Sequence, residues 1–302
     1  MKAEIATKFS ILSILWGVSF LLLLRVVQAF DWAAAISVRA FIASGCVFLL
    51  GLIIKKKFDF SIGAKHFAIL GVTSVSIQLI GLSVAVPRIG TALTAILVGA
   101  IPLFSSVIGR LMKIENIDRL GFIGLFLGFI GIIFLVGFPQ EKLSSDFFVG
   151  FGLCTIGCIS AAFGSNYSKL KMSQVGNWEQ VIGAFFFGGL FTAPLLIFVP
   201  IKPGLVLSDW LNIITLAVVC SALCYVIYFS LVAKIGATRS ISVEFLVTVV
   251  AVLIGAFYLN EVITVFQLFG ALLVIIGSVL ILDLFSVSKR VGKLAIHHNL
   301  IT

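Results

Sequence analysis

Residues 108–131 read IGRLMKIENIDRLGFIGLFLGFIG, and residues 254–277, offset by 146 positions, read IGAFYLNEVITVFQLFGALLVIIG. Ile108-Gly109 falls on Ile254-Gly255, Glu115 on Glu261, Gly124 on Gly270, and Ile130-Gly131 on Ile276-Gly277. Upstream, Ile89-Gly90 falls on Ile235-Gly236; with one more residue of offset, Gly17 falls on Gly164 and Gln78 on Tyr225. The two halves of the chain therefore share one ancestry, with about five apolar segments in each. Five is an odd number, so the second copy is expected to enter the membrane in the opposite orientation to the first. Inverted repeats of this kind place a substrate site near the bilayer midplane, between the copies, in many secondary transporters.

The composition agrees with a membrane solvent. Of 302 residues, 61% are hydrophobic and 11% charged, and the mean hydropathy is +1.25. A soluble domain carries roughly a quarter charged residues, so a water-soluble core is excluded. Apolar runs long enough to cross ~30 Å of hydrocarbon fall at 9–29, 33–54, 66–86, 90–112 and 119–138 in the first half. In the second half they fall at 148–168, 179–199, 210–233, 237–259 and 265–285. The expected fold is thus an all-α polytopic membrane protein with ten transmembrane helices, arranged as two inverted five-helix repeats, 8–138 and 148–286, around a central cavity.

The net charge of +9 could suggest nucleic acid, but its placement points to topology. With the N-terminus cytoplasmic, the inner side holds Lys2, Lys8, Lys55-Lys56-Lys57, Lys65, Arg110, Lys113, Arg119, Lys169, Lys171, Lys234, Arg239, Lys289, Arg290 and Lys293, sixteen of the twenty-one basic residues. The outer loops hold Arg25, Arg88, Lys142 and Lys202, and Arg39 lies within a span. This is the positive-inside bias of a chain with both termini in the cytoplasm. The expected location is the inner (cytoplasmic) membrane, and the bilayer is the partner in place of nucleic acid. Lys2 and Lys8 precede the first span as they would a signal peptide. Its apolar stretch exceeds an h-region of about 7–15 residues, and its removal would break the repeat, so it reads as an uncleaved span.

Chemistry-bearing motifs are sparse. Cys46, Cys154, Cys158, Cys220 and Cys224 all fall within spans, and the histidines (His66, His297, His298) sit at membrane edges, so the thiols read as packing residues with no metal site and no disulfide framework. No phosphate-binding GxxxxGK[ST] loop, HExxH or GxSxG occurs, and no enzyme activity or cofactor is implied. Gly124 and Gly128 form a GxxxG, which serves either helix packing within a monomer, the preferred reading, or a homodimer face. The widest gap, Pro139 to Phe147, joins the two copies.

Several landmarks together resemble the drug/metabolite transporter superfamily, specifically its ten-helix members with two EamA-like domains. They are Trp16-Gly17-Val18-Ser19-Phe20 in the first span, Arg39 with Ala43 in the second, and the stretch from Gly90 through Pro102 and Glu115 to Gly131, with its copy from Gly236 to Gly277. The resemblance covers essentially the whole chain. It implies ten helices around a cavity lined by spans 1, 3, 4, 6, 8 and 9, and carriage of small metabolites, often export of amino acids and related compounds. Thr248 stands where the first copy has Pro102, which puts a matching kink in the ninth span in doubt.

An ionisable group at membrane depth costs about 2.5–3.5 kcal/mol by insertion scales, so Arg39 and Glu244 stand out. Each lies roughly 10 Å deep, from opposite faces, at ~1.5 Å per residue, too far apart along the normal for an unassisted salt bridge. Arg39 either snorkels or is tied to carbonyls, or else it contacts a carboxylate. Glu244 is either a hydrogen-bonded acid between helices or a proton or amine site; its counterpart is Val98, so the repeat does not require it. Ser240 and Thr248, one turn before and after, would make it part of a polar stripe. The uncharged candidates for substrate contact are Trp16 and Ser19, Gln78 with its counterpart Tyr225, Tyr228, Asn166 and Tyr167, with Thr248 completing the set. Pro102 is the candidate hinge.

These residues point to a secondary transporter of a small metabolite, working by alternating access, most simply an exporter of amino acids or related compounds with a proton or ion as coupling partner. An importer or exchanger of anionic or nucleotide-linked compounds is the alternative, and it would want more cavity arginines than Arg39. A channel would want rings of like polar residues, and a membrane-embedded enzyme a cluster of acids or histidines at one depth.

Overall fold

In hydrocarbon every backbone N–H and C=O must be satisfied within its own segment, which leaves helices as the outcome for these apolar runs. The computed structural model describes residues 2–115, 117–136, 144–259 and 264–282. Six helical stretches are long and apolar enough to cross a membrane: Glu4–Phe30, Trp32–Ile53, Ala64–Ile89, Ser145–Lys171, Asn177–Ile197 and Leu207–Ile235. Shorter apolar helices cover Ile96–Leu111, Arg119–Phe134 and Val265–Ile281. Glu261, residues 139–143 of the linker and the C-terminal basic residues and histidines lie outside the described residues.

In the first half the elements are α1 (Lys2–Phe30), α2 (Trp32–Ile53), α3 (Ala64–Gly71), a π-helical stretch Val72–Ile77, α4 (Gln78–Gly99), α5 (Ile101–Leu111) and α6 (Arg119–Val136). The second half has α7 (Ser145–Lys171), α8 (Asn177–Thr192) with a 3-10 turn Ala193–Ile197, and α9 (Leu207–Thr215). A second π-helical stretch, Leu216–Leu223, leads into α10 (Cys224–Ile235), α11 (Ala237–Ile241), α12 (Val243–Leu259) and α13 (Val265–Ile281). Side-chain caps mark some of the helix starts. Asp31 accepts from the Trp32 amide at 2.7 Å and Ser144 from the Phe147 amide at 3.1 Å, while Thr264 and Gln267 form a capping box. Large apolar side chains such as Leu111, Phe148 and Val265 are exposed, as a lipid-facing surface requires.

Three places differ from the sequence expectation. The third and fourth spans are not separated by a loop: α4 carries Pro87 inside it. The chain nevertheless runs back along α7: Arg88 and Ile89 pack on Gly150 near its start, whereas Ser105 meets Asn166 near its end. The fourth span breaks at Ala100, two residues before Pro102, which therefore sits in the first turn of α5, where a missing N–H costs nothing. The ninth span also breaks, at Ser242, six residues before Thr248. There the Ser240 and Ser242 hydroxyls donate to the carbonyls of Gly236 and Arg239, competing with helical bonding.

Contacts recur in matched pairs across the halves. α2 packs on the stretch 216–223 and α8 on the stretch 72–77; α1 packs on α12 and α7 on α5. The broadest contact joins α6 to α13. A Cβ on Gly277 would lie 2.6 Å from the Gly124 carbonyl oxygen, and one on Gly131 would lie 2.8 Å from that of Gly270. The GxxxG is thus spent on packing inside one chain.

Candidate functional site

Trp16, Ser19, Arg39, Gln78, Tyr225 and Glu244, singled out from five different spans, line one cavity of about 50 Å³. Phe20, Leu23, Leu79, Leu82 and Val98 complete its wall with apolar surface. A smaller compartment of about 10 Å³ adjoins it, sharing Trp16, Gln78, Tyr225 and Glu244 and adding Tyr228, Ser74, Ala161 and Ile241.

The aromatic side is built by α1 and α10. Trp16 lies 5.6 Å from both Tyr225 and Tyr228, ring centre to ring centre, and Phe185 stands edge-on to Tyr225 at 4.9 Å. Each polar edge has a partner where one can be traced: Trp16 Nε1 donates to the Cys220 carbonyl at 3.0 Å, and the Tyr228 hydroxyl to Ser165 Oγ at 2.6 Å. Tryptophan and tyrosine need such partners once buried.

The two charged residues behave differently from the rest. Arg39 is 6% exposed, and its Nε donates to Ser221 Oγ at 2.5 Å. Its terminal nitrogens make no hydrogen bond among the described residues, and the residue lines the cavity. Glu244 is 8% exposed and lines both compartments, and its carboxyl likewise bonds to no described residue. Among the described residues no ion pair includes either group. A guanidinium and a carboxyl therefore line one small cavity, each end without a protein partner among the described residues.

Other candidates lie elsewhere. Asn166 is fully buried, and its amide nitrogen donates to the Ser105 carbonyl at 3.1 Å, to Ser105 Oγ at 2.9 Å and to the Ala162 carbonyl at 2.9 Å. Tyr167 pairs with His66, Oη to Nδ1 at 2.7 Å, outside the cavity wall. Thr248 donates to the Glu244 carbonyl at 3.0 Å, and Ser240 to that of Gly236. Of the proposed stripe only Glu244 reaches the cavity, because the hydroxyls satisfy themselves on their own helix. Ser221 was not singled out, since a serine in an apolar helix usually bonds its own backbone and leaves no mark in the sequence pattern.

One end of the bundle is closed by a polar layer. Ser105 Oγ lies 3.0 Å from Thr238 Oγ1, Asn166 ties α7 to Ser105, and the Glu115 carboxylate accepts from the amides of Ala237 and Thr238. Gly236, with φ 93°, makes the turn that presents those amides. Lys8 to Ser230 and Lys234 to Glu4 place the start of α1 at the same end.

The family model for EamA-like transporters matches residues 6–137 and again 148–283, which together span nearly the whole chain. The chain belongs to the EamA-like transporter family. It is therefore a multi-pass membrane protein of two EamA units, and the resemblance drawn from Trp16 to Gly277 holds. Among relatives, the uncharacterized transporter YoaV of Bacillus subtilis is 26% identical over 267 residues, covering 83% of this chain and 87% of that one. Protein PecM of Dickeya dadantii is 23% identical, covering 92% and 93%. A solved crystal structure aligns over 96% of this chain and 99% of its own, with a TM-score of 0.77 at 13% identity, which speaks to the fold alone.

Proposed function

We propose that this EamA protein is a secondary carrier that exports amino acids or related compounds across the cytoplasmic membrane by alternating access. In this reading it has ten spans, both termini cytoplasmic, and a second five-helix copy inverted relative to the first. One pair of contacts supports a pseudo-two-fold relation between the copies, which the inversion requires. The carbonyls of Thr73 and Cys220 are 147 positions apart, and each lies in a π-helical stretch. Ser160 Oγ, from the first helix of the second copy, donates to Thr73, and Trp16, from the first helix of the first copy, donates to Cys220. Such exchange is what a two-fold relation between copies demands.

The substrate class rests on the unspent guanidinium edge of Arg39 and the unspent carboxyl of Glu244 in one cavity. A zwitterion answers both, with its carboxylate on Arg39 and its ammonium on Glu244. An anion or a nucleotide-linked compound answers Arg39 only and meets a second carboxyl, so that reading is weaker. The cavity of about 50 Å³ admits a water or two. Ligand sites usually offer about 300–1,000 Å³, so loading requires the helices to part. The breaks at Ala100 and Ser242 supply places for that motion, with Pro102 holding the start of α5 rigid. Glu244 then doubles as the proton or amine site.

Saturable uptake into proteoliposomes, competed by unlabelled substrate, separates a carrier from a channel. Comparing metabolites in medium and cytosol of overexpressing and deletion cells identifies the cargo. Amino acids should rise in the medium on overexpression and in the cytosol on deletion. Unchanged amino-acid pools in both strains would reject the proposal.

A further inference from the structure

We infer that Ser221 is a positioning residue for Arg39, and that it reserves the end-on edge of the guanidinium, the Nη1/Nη2 pair, for the carboxylate of the substrate. The inference rests on the amino-acid-like cargo proposed above and says how that cargo is held.

A guanidinium offers a carboxylate two bidentate edges: side-on through Nε and one Nη, or end-on through both Nη atoms. In Arg39 the Nε–H is already given to Ser221 Oγ at 2.5 Å. Side-on capture is therefore closed. Ser221 is fully buried, and its single hydroxyl proton goes to the Leu216 carbonyl at 3.1 Å. Its oxygen can only accept from Arg39, so the direction of both bonds is fixed. The acceptor lies five residues back, one more than the four or three of ordinary serine back-bonding in an α-helix. The π-helical winding of 216–223 sets this spacing. Without the hydroxyl, Arg39 has no side-chain partner among the described residues, and its long, rotamer-rich stem would be free to turn.

The first copy shows what the arrangement adds. Ser74 stands 147 positions before Ser221 in the other π-helical stretch, but the counterpart of Arg39 at that offset is Phe186, which is exposed. The serine belongs to both copies; the serine–arginine pair belongs to one. One charged carboxylate receptor in a pseudo-symmetric cavity gives the cargo a single orientation.

The test measures transport of the twenty L-amino acids into proteoliposomes, then of the best substrate against its primary amide, which has no carboxylate. Wild-type protein should prefer the acid, and Arg39→Gln should abolish that preference. Ser221→Ala should raise KM for the acid about tenfold, the worth of a hydrogen bond to a charged group, while kcat and the KM for the amide stay near wild type. Ser221→Thr should restore the preference. If Ser221→Ala fails to insert, Ser221→Cys fits the same space with a weak acceptor and should show the same KM effect. Unchanged acid preference in Ser221→Ala or Ser221→Cys, with its loss in Arg39→Gln, would overturn the serine's role and leave the site reading standing. Acid preference surviving Arg39→Gln, or no amino acid carried by wild type, would overturn the site reading and this inference with it.

Discussion

Val98 and Glu244 occupy the same position in the two copies, 146 residues apart, and both line the same cavity. The repeat supplies the place, and only the second copy puts a carboxyl there. A carboxyl at that depth with no partner among the described residues is costly to keep, so function is the better account of its presence. Glu244→Gln should abolish or uncouple transport while the protein still inserts and stays monodisperse. A structural acid predicts the opposite, because an amide can keep hydrogen bonds without charge. Full transport with an unchanged pH profile in Glu244→Gln would reduce the residue to packing.

Arg39 and Glu244 were legible in the sequence because an ionisable group in hydrocarbon is conspicuous whatever surrounds it. Gln78 and Tyr225 were legible through register, since the repeat places them at matching positions, and Trp16 through its neighbourhood with Ser19 on the first span. Asn166 was conspicuous for the same reason as Arg39, yet its amide nitrogen is held by Ser105 and Ala162, a partnership that no single-span pattern reveals. Ser221 stayed hidden for the converse reason. The apolar runs located the spans, but hydropathy carries no record of winding, so neither π-helical stretch was foreseen. Pro102 pointed to a bend in the right span; the break falls at Ala100, just ahead of it, because proline starts a helix more easily than it sits inside one.

The polar layer at one end should act as a closure. Glu115→Ala removes the acceptor of the Ala237 and Thr238 amides, a loss of about 1–3 kcal/mol. In a cysteine-free background, a cysteine replacing Ser165 lies just beneath this layer and should react with a small thiol reagent at least about fivefold faster when Glu115→Ala is added. Equal labelling rates with and without Glu115→Ala would show that the layer does not open.

The α6–α13 contact should tolerate no side chain at its crossing. A Cβ on Gly277 meets the Gly124 oxygen and the Gly128 nitrogen, each at 2.6 Å, and neither is the end of a flexible side chain. Gly277→Val should therefore cost about 1–3 kcal/mol or more, lowering Tm in detergent by several degrees. Gly152, which has nothing within 4 Å of its Cβ position, should accept alanine with no such loss. Because the glycines are spent inside one chain, the particle size of Gly277→Val should match wild type. A halved particle mass with unchanged Tm would instead assign them to a dimer face.

The inverted arrangement makes a prediction about sidedness that composition alone does not. Ser145 begins α7, directly after the join between the copies, and is exposed; Lys57 lies in the exposed turn after α2. With the proposed five spans between the N-terminus and Ser145, and two between it and Lys57, the two positions should face opposite sides. In a cysteine-free background, a cysteine replacing Ser145 should react with a membrane-impermeant maleimide in intact cells. One replacing Lys57 should react only after the membrane is opened. A chain whose copies entered in the same orientation would need an even number of spans before Ser145, and both positions would then label from one side. Labelling of the Ser145 position from the cytoplasm alone would overturn the inverted topology and, with it, the placement of the substrate cavity between the two copies.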